Sequence, residues 1–331
     1  MSHFREHGAI LATQYRDFMT VNDRAVRRDC SIVIRFPCHD VPPHIRQAHS
    51  SKKSFNQLRL PKPSVGVAMS NVGIARPDFR VEGVAVNLPS LNEAVSSIVA
   101  AAERDESFCV FTLNLDHCAQ LRRDRAFRSA YRRAQYVTAD GFPIVAIGRM
   151  AGAEVQRTTG ADLVEPLCIE AARNRLPIAL FGPNATTIFR ARAHLAERIP
   201  DIEIVDSFAP GMNFDPYSAE ADRAIERIGE SGAKICFVAV GAPRQEIFSA
   251  RCLDMIPGVA LICVGAALDF IAGTHTRAPA FFQNNGLEWL WRLSSNPRRF
   301  GPRYLRCAAV VPRLVADVIP QAVSTRRGRL S

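Results

Sequence analysis

The chain predicts an α/β fold, a Rossmann-like and mostly parallel sheet with helices on both faces, plus a basic helical C-terminal appendage. Three observations carry that expectation. Short apolar runs rich in Val and Ile, such as Ile235–Val240 and Val259–Val264, end at glycines (Gly241, Gly265) that polar residues follow at once. Segments of helical period separate such runs, Gln245–Met255 lying between these two. Strand and helix alternate through residues 76–285, the pattern of strands buried on both faces. Ligands of such sheets sit beyond the carboxyl ends of the strands, so Gly241–Glu246 and Gly265–Arg277 are expected to line a pocket.

At 331 residues, with 47% hydrophobic and 22% charged side chains, the chain can bury a full α/β core and still carry extensions. Its net charge of +10 is unevenly spread. Residues 1–75 hold eleven Lys and Arg against five acids, and residues 286–331 hold nine against two. The expected organisation is therefore a flexible basic extension (1–75), a nearly neutral core (76–285) and the basic helical appendage (286–331). Basic ends suit a polyanionic surface, nucleic acid or anionic lipid, and solubilising tails are an equal reading for the N-terminal one. Nine cysteines without a C-x-x-C pair read as free thiols in a reducing compartment. The polar first 30 residues do not read as a signal peptide, and no uncharged apolar run reaches 18 residues. A cytoplasmic chain is expected.

Residues 1–75 show no sustained periodicity beyond a short strand at Ser31–Phe36, and His39, His44 and His49 near Cys38 lack ligand-like spacing. From Arg80 the pattern is regular. Val81–Val95 predicts a strand, a turn and a helix, with Ser90 and Glu93 at capping-box spacing. Phe108–Leu113 is the next strand, and Asp116–Ala134 predicts one helix. The six arginines of that helix alternate with acids and apolar positions, which favours a solvated face over a nucleic-acid footprint. A strand from Tyr136 then delivers Asp140 to its carboxyl end, Gly141 permits a tight turn and Pro143 starts a helix. An acid held there serves as a general base or merely caps the helix, and spacing alone leaves the two level. Thr159–Asp162 opens a helix to Arg173. Pro177–Phe181 and Ile202–Val205 are strands, a helix to Arg198 lies between them, and Phe208–Phe214 is a loop before the helix Tyr217–Gly229.

Near the end, Trp289, Trp291 and Leu293 interleave with Arg292, Arg298, Arg299 and Arg303. That mixture fits a membrane interface, base stacking or a capping helix. No G-x-G-x-x-G follows the first strand, so a nicotinamide oxidoreductase lacks its fingerprint. A nucleotide-binding module or a nucleic-acid-binding protein using the basic ends is the remaining alternative.

Taken in order, several motifs resemble the WecG/TagA/CpsF family of bacterial glycosyltransferases over roughly Val81–Tyr304. They are Thr112-Leu113-Asn114, Ala139-Asp140-Gly141, Arg157–Leu163, Gly241–Glu246 (G-A-P-R-Q-E), Val264–Gly273, Arg277-Ala278-Pro279 and Gly286–Arg299. Two departures are visible: Leu268 stands where an aromatic is usual, and the Phe208–Phe214 loop lacks a Gly-Tyr pair.

The resemblance implies transfer of a hexose or N-acetylhexosamine-type sugar from a UDP-sugar to a polyprenyl-diphosphate-linked saccharide at the cytoplasmic membrane surface, for surface polysaccharide or exopolysaccharide. It implies Asp140 as catalytic base. Thr112, Asn114, Gly141, Arg157, Asp162, Gly241, Pro243, Gln245, Glu246, Asp269 and Arg277 become substrate-binding positions, and Arg292, Arg299 and Arg303 supply charge to the diphosphate from a mobile appendage. No Asp-x-Asp pair occurs, so neither a metal clamp nor a cofactor is expected. Nucleic acid is not an expected partner, and a homo-oligomer is left open.

Overall fold

The computed structural model describes residues 79–279, 281–282 and 288–330, without the side chains of Arg292, Arg299 and residues 321–330. The expectations for residues 1–75 lie outside it.

The described chain opens with an antiparallel hairpin, β1 (Phe79–Val81) and β2 (Val84–Val86). Glu82 and Gly83 turn it at φ 51° and 79°. Two successive positive φ values make the tight turn that matches strand twist, and glycine takes the second at no steric cost.

Six parallel strands follow: β3 (Phe108–Leu113), β4 (Tyr136–Ala139), β5 (Ile178–Phe181), β6 (Ile204–Phe208), β7 (Ile235–Val238) and β8 (Ala260–Cys263). They lie in the order β4-β3-β8-β7-β5-β6. The last strand in sequence thus sits at the centre of the sheet, between β3 and β7.

Period-two alternation splits these runs between two cores. Cys109, Phe111, Leu113, Cys236, Val238, Leu261 and Cys263 face one, while Phe108, Val110, Ile235, Phe237, Ala260 and Ile262 face the other. Strands buried on both faces need helices on both, which is the predicted fold class. On the second face lie α1 (Leu91–Glu103), α5 (Gly160–Arg173), α6 (Ala185–Arg198) and the short α9 (Ala267–Ile271). On the first lie α2 (Leu115–Leu121), α3 (Arg125–Arg132), α4 (Phe142–Met150), α7 (Ala219–Glu230) and α8 (Arg244–Met255).

Local chemistry starts most of these helices. Ser90, Asn114, Asp124, Thr159, Asn184 and Ser218 each accept a hydrogen bond from the backbone N–H three residues on. Asp124 explains one difference from expectation. The single helix predicted over Asp116–Ala134 is two helices, because the Asp124 carboxylate caps a new start at Arg125. A second difference is β6, which begins later and runs to Phe208, where the Arg227 guanidinium covers the ring at 4.1 Å.

At the C-terminal end are α10 (Glu288–Ser295) and α11 (Pro297–Leu330). The latter is docked along its middle: Val310, Leu314 and Val318 are buried in the first core with Phe79, Val81, Phe127 and Ile144, and Cys307 is buried on the same helix. Its prolines Pro302, Pro312 and Pro320 are exposed, so the carbonyls they orphan, at positions 298, 308 and 316, belong to exposed residues that water can reach. No helix among the described residues is long and apolar enough to cross a membrane. The described cysteines are free and buried.

Candidate active site

At the carboxyl ends of β3 and β4, Asn114 and Asp140 meet. The Asp140 N–H donates to the Leu113 carbonyl at 2.8 Å, which carries the parallel ladder one residue past the strands and fixes the backbone beneath the carboxylate. Asn114 caps α2, its Oδ1 accepting from the His117 N–H at 3.0 Å. With the amide oxygen committed, its Nδ2 faces outward and donates to Asp140 Oδ2 at 3.2 Å. One asparagine thus starts a helix and aims a carboxylate. Asp140 is half-buried at the strand tip. Gly141, at φ 88° and ψ 152°, has a backbone conformation open to glycine alone, and it turns the chain into Phe142-Pro143 at the start of α4. Asp140 therefore does not cap α4; Gly141 holds that position, without a side-chain bond.

Behind the pair lies a buried polar layer that the sequence did not single out. His117 Nδ1 is 2.8 Å from both the Thr112 carbonyl and Tyr131 Oη, and the Tyr131 hydroxyl donates to the same carbonyl at 2.8 Å. A carbonyl can only accept, so Nδ1 must carry the proton. Burial lowers the His117 pKa to about 4, against the Thr112 hydrogen bond, which favours the charged form. The ring is neutral at physiological pH. Capping spacing, three residues after Asn114, was the one sequence signal for His117; Tyr131 had none. Thr112, expected to contact substrate, is buried, and its carbonyl serves this layer.

Beside Asp140, the Thr158 N–H donates to the Ala139 carbonyl at 2.8 Å, which brings the Arg157–Asp162 segment against the same strand end. Thr159 and Asp162 form a reciprocal capping box at the start of α5. Gly160 lies so close to β8 that a Cβ there would sit 2.6 Å from the Val264 carbonyl oxygen. Asp162 accepts from Arg277 Nη2 at 2.8 Å and lies 3.5 Å from Arg157. Burial pushes the Asp162 carboxyl up, and the Arg277 hydrogen bond, the Thr159 N–H and the two guanidinium charges outweigh it, leaving the group below the ordinary carboxylate value.

Across the sheet centre, Gly241 (φ 80°) and Gly265 (φ 58°) turn the chain out of β7 and β8, and a cis peptide precedes Pro243. Gln245 clamps the two turns. Its N–H donates to the Gly241 carbonyl at 3.0 Å, and its Oε1 accepts from the Gly265 N–H at 3.2 Å. Glu246, expected to line the pocket, is 0% exposed; its Oε1 accepts from Gln245 Nε2 at 2.7 Å.

Asp269 is drawn to α6, where Thr187 Oγ1 donates to its Oδ1 at 3.1 Å, and Thr274 Oγ1 lies 3.3 Å from the same oxygen. Arg303 on α11 has its Nε 3.2 Å from Asp116 Oδ2, in the first turn of α2 and two residues after Asn114. The side chains of Arg292 and Arg299 are outside the described residues. A groove of about 660 Å³ also runs between α1 and α5, and no predicted site residue lines it.

The arrangement offers a half-buried carboxylate at the tip of β4, the Arg157–Asp162–Arg277 cluster on the segment that bonds to the same strand end, and glycine turns after β8 and β7 on the far side of β3, at the edge where parallel sheets bind ligands. The family model described as the glycosyl transferase WecG/TagA/CpsF family matches residues 79–327, well over half of the chain.

Proposed function

The chain belongs to the WecG/TagA/CpsF glycosyltransferase family, and from that premise we propose an inverting, metal-independent transferase. It moves a hexose or N-acetylhexosamine-type sugar from a UDP-sugar to a polyprenyl-diphosphate-linked saccharide, in synthesis of a surface polysaccharide or exopolysaccharide.

The observation that carries this reading is the Asn114–Asp140 pair. Asp140 takes the proton of the acceptor hydroxyl. The freed oxygen pair attacks the anomeric carbon from the face opposite UDP, and the anomeric C–O bond breaks with its electrons leaving on the diphosphate. Asn114 keeps the carboxylate turned toward the hydroxyl, which suits a general base held on a rigid element.

UDP departs with developing negative charge, which needs positive charge or aimed N–H groups. Without an Asp-x-Asp pair in the sequence, the reading assigns that work to Arg157 and Arg277, with Arg292, Arg299 and Arg303 from the C-terminal helices. Gly241, Pro243 and Gly265 let the backbone approach the nucleotide closely, Gln245 sets their spacing, and Asp269 and Gly141 complete the rim.

For a lipid-borne acceptor the enzyme works at the membrane surface. Trp289, Leu290, Leu305 and Ile319 on α10 and α11 are exposed beside the exposed Arg298, Arg306 and Arg313. Apolar and basic side chains side by side suit an anionic lipid interface.

Asp140→Asn tests the chemistry, scored by mass with a short polyprenyl-diphosphate saccharide and a panel of UDP-sugars, with and without chelator. The expected result is a kcat lower by about 10²–10⁴-fold at an unchanged melting temperature. Parent-like turnover in the variant, or chelator-sensitive turnover in the parent, defeats the reading.

A further inference from the structure

Glu246 is a carboxylic acid with nothing to touch but protein. It is 0% exposed, one oxygen accepts from Gln245 Nε2, and its Oε2 has no hydrogen-bond partner among the described residues. A buried carboxylate without a charge partner resists ionisation, so the protonated form is favoured, and with Gln245 Nε2 on Oε1 its proton belongs on Oε2.

What the acid accomplishes follows from the amide beside it. The Gly265 N–H can only donate, so Gln245 must present its oxygen there, and the amide nitrogen must then point the opposite way. A nitrogen buried without an acceptor would favour the flipped amide, which sets N–H against N–H at Gly265. Glu246 Oε1 removes that alternative. The direction of one amide thereby decides whether the turn after β7 and the turn after β8 are tied together. Both turns border the crevice where the sheet binds ligand.

We propose that Glu246 is a positioning residue of the transferase: as a neutral acid it orients the Gln245 amide, and through it holds the Gly241 and Gly265 turns at the separation the donor nucleotide requires. Its functional half rests on the reading above. The titratable groups that face Glu246 are Tyr131 on α3 and Cys263 on β8, and burial keeps both protonated. Neither supplies a compensating positive charge. Burial pushes the acid up to about 7 from an ordinary 4.5, opposed by the Gln245 and backbone hydrogen bonds.

The sign of the pH effect follows. A group whose pKa is raised in the folded state contributes stability in full below its unfolded value, and loses it as pH rises through the folded value. Relative to a variant that cannot ionise, the parent should weaken between about pH 4.5 and about 7.

The test compares the full chain with Glu246→Gln, which keeps a carbonyl oxygen for Gln245, and Glu246→Ala, which does not. Hydrogen exchange of the peptide carrying Gly265 should speed by about tenfold in Glu246→Ala and return toward the parent in Glu246→Gln, the scale of one lost buried hydrogen bond. With a UDP-sugar, Glu246→Ala should raise the donor KM by about tenfold with little change in kcat, and Glu246→Gln should recover it. The melting-temperature advantage of Glu246→Gln over the parent should grow from pH 4.5 to 7. Equal damage in both variants, a loss in kcat alone, or a pH-independent melting difference overturns the proposal. A parent that transfers no sugar defeats the functional reading instead, while exchange and melting still judge the role of Glu246. If Glu246→Ala does not fold, Glu246→Gln alone decides: parent-like exchange with the pH-dependent melting gain supports the proposal, and faster exchange overturns it.

Discussion

At the scale of single residues, the site depends on side chains that do two jobs at once. Asn114 is a helix cap whose leftover N–H aims a carboxylate. Replacing it by Asp separates the jobs. Aspartate caps a helix as well as asparagine, but it sets a second negative group within hydrogen-bond distance of Asp140, and neighbouring carboxylates share one proton. The acid limb of the kcat/KM profile of Asn114→Asp should therefore move to higher pH while thermal melting stays near the parent's. An unmoved limb would mean that Asp140 is not the titrating base. Asp140 itself was legible as a candidate, because an apolar strand delivers an acid to its carboxyl end, with Gly141 permitting the turn and Pro143 starting the next helix. The sequence left base and cap level; the structure removes the cap, because Gly141 takes that position, and the base is the proposal made above. Glu246 misled for a related reason. Adjacent to Gln245 in a motif, it gave no sign that successive helical positions near a strand end point to different sides, one across to Gly265 and the next into the core.

At the scale of elements, caps and turns account for most boundaries, and close approach accounts for the fit between them. The start of α5 lies so near β8 that only a residue without Cβ fits at position 160: an added carbon would sit 2.6 Å from the Val264 carbonyl oxygen and 2.7 Å from its Cα. Val264 directly follows the central strand β8, and its N–H donates to the Val238 carbonyl at 3.0 Å, so this backbone resists displacement. Gly160→Ala should cost about 1–3 kcal/mol, read as a lowered urea midpoint, as overpacking does. Gly229→Ala is the milder comparison, since its Cβ would meet the Ile256 side chain, which can rotate. A midpoint shift no larger at 160 than at 229 would contradict the close approach. The break between α2 and α3 belongs here too. Helical period continues across residues 116–134, and only the capping chemistry of Asp124 divides it.

At the scale of the molecule, α11 is both wall and surface. Leu314 is fully buried in the first core, on a helix that packs against β1, α2 and α4, whereas Leu305 is 75% exposed on the same helix. Leu314→Ala should cost about 2–5 kcal/mol by calorimetry or denaturant melting, the range for truncating a core leucine. Leu305→Asp should leave melting near the parent's and weaken co-sedimentation with vesicles containing anionic lipid. Equal vesicle binding would remove Leu305 from the membrane surface. Because α11 completes the core, cutting the chain after Gly286 exposes apolar surface, and lost activity in such a truncation would not isolate a role for the arginines.

From its sequence alone, the chain determined its fold class, the strand tips and the turns that carry Asp140, Gly241 and Gly265, because alternation, capping spacing and positive-φ glycines are local properties. Tertiary structure alone decided which tips are neighbours, that Glu246 turns inward, that Arg303 meets Asp116, and that the C-terminal helix closes the core. Those outcomes depend on the insertion of β8 between β3 and β7, a pairing across more than a hundred residues that no local period encodes.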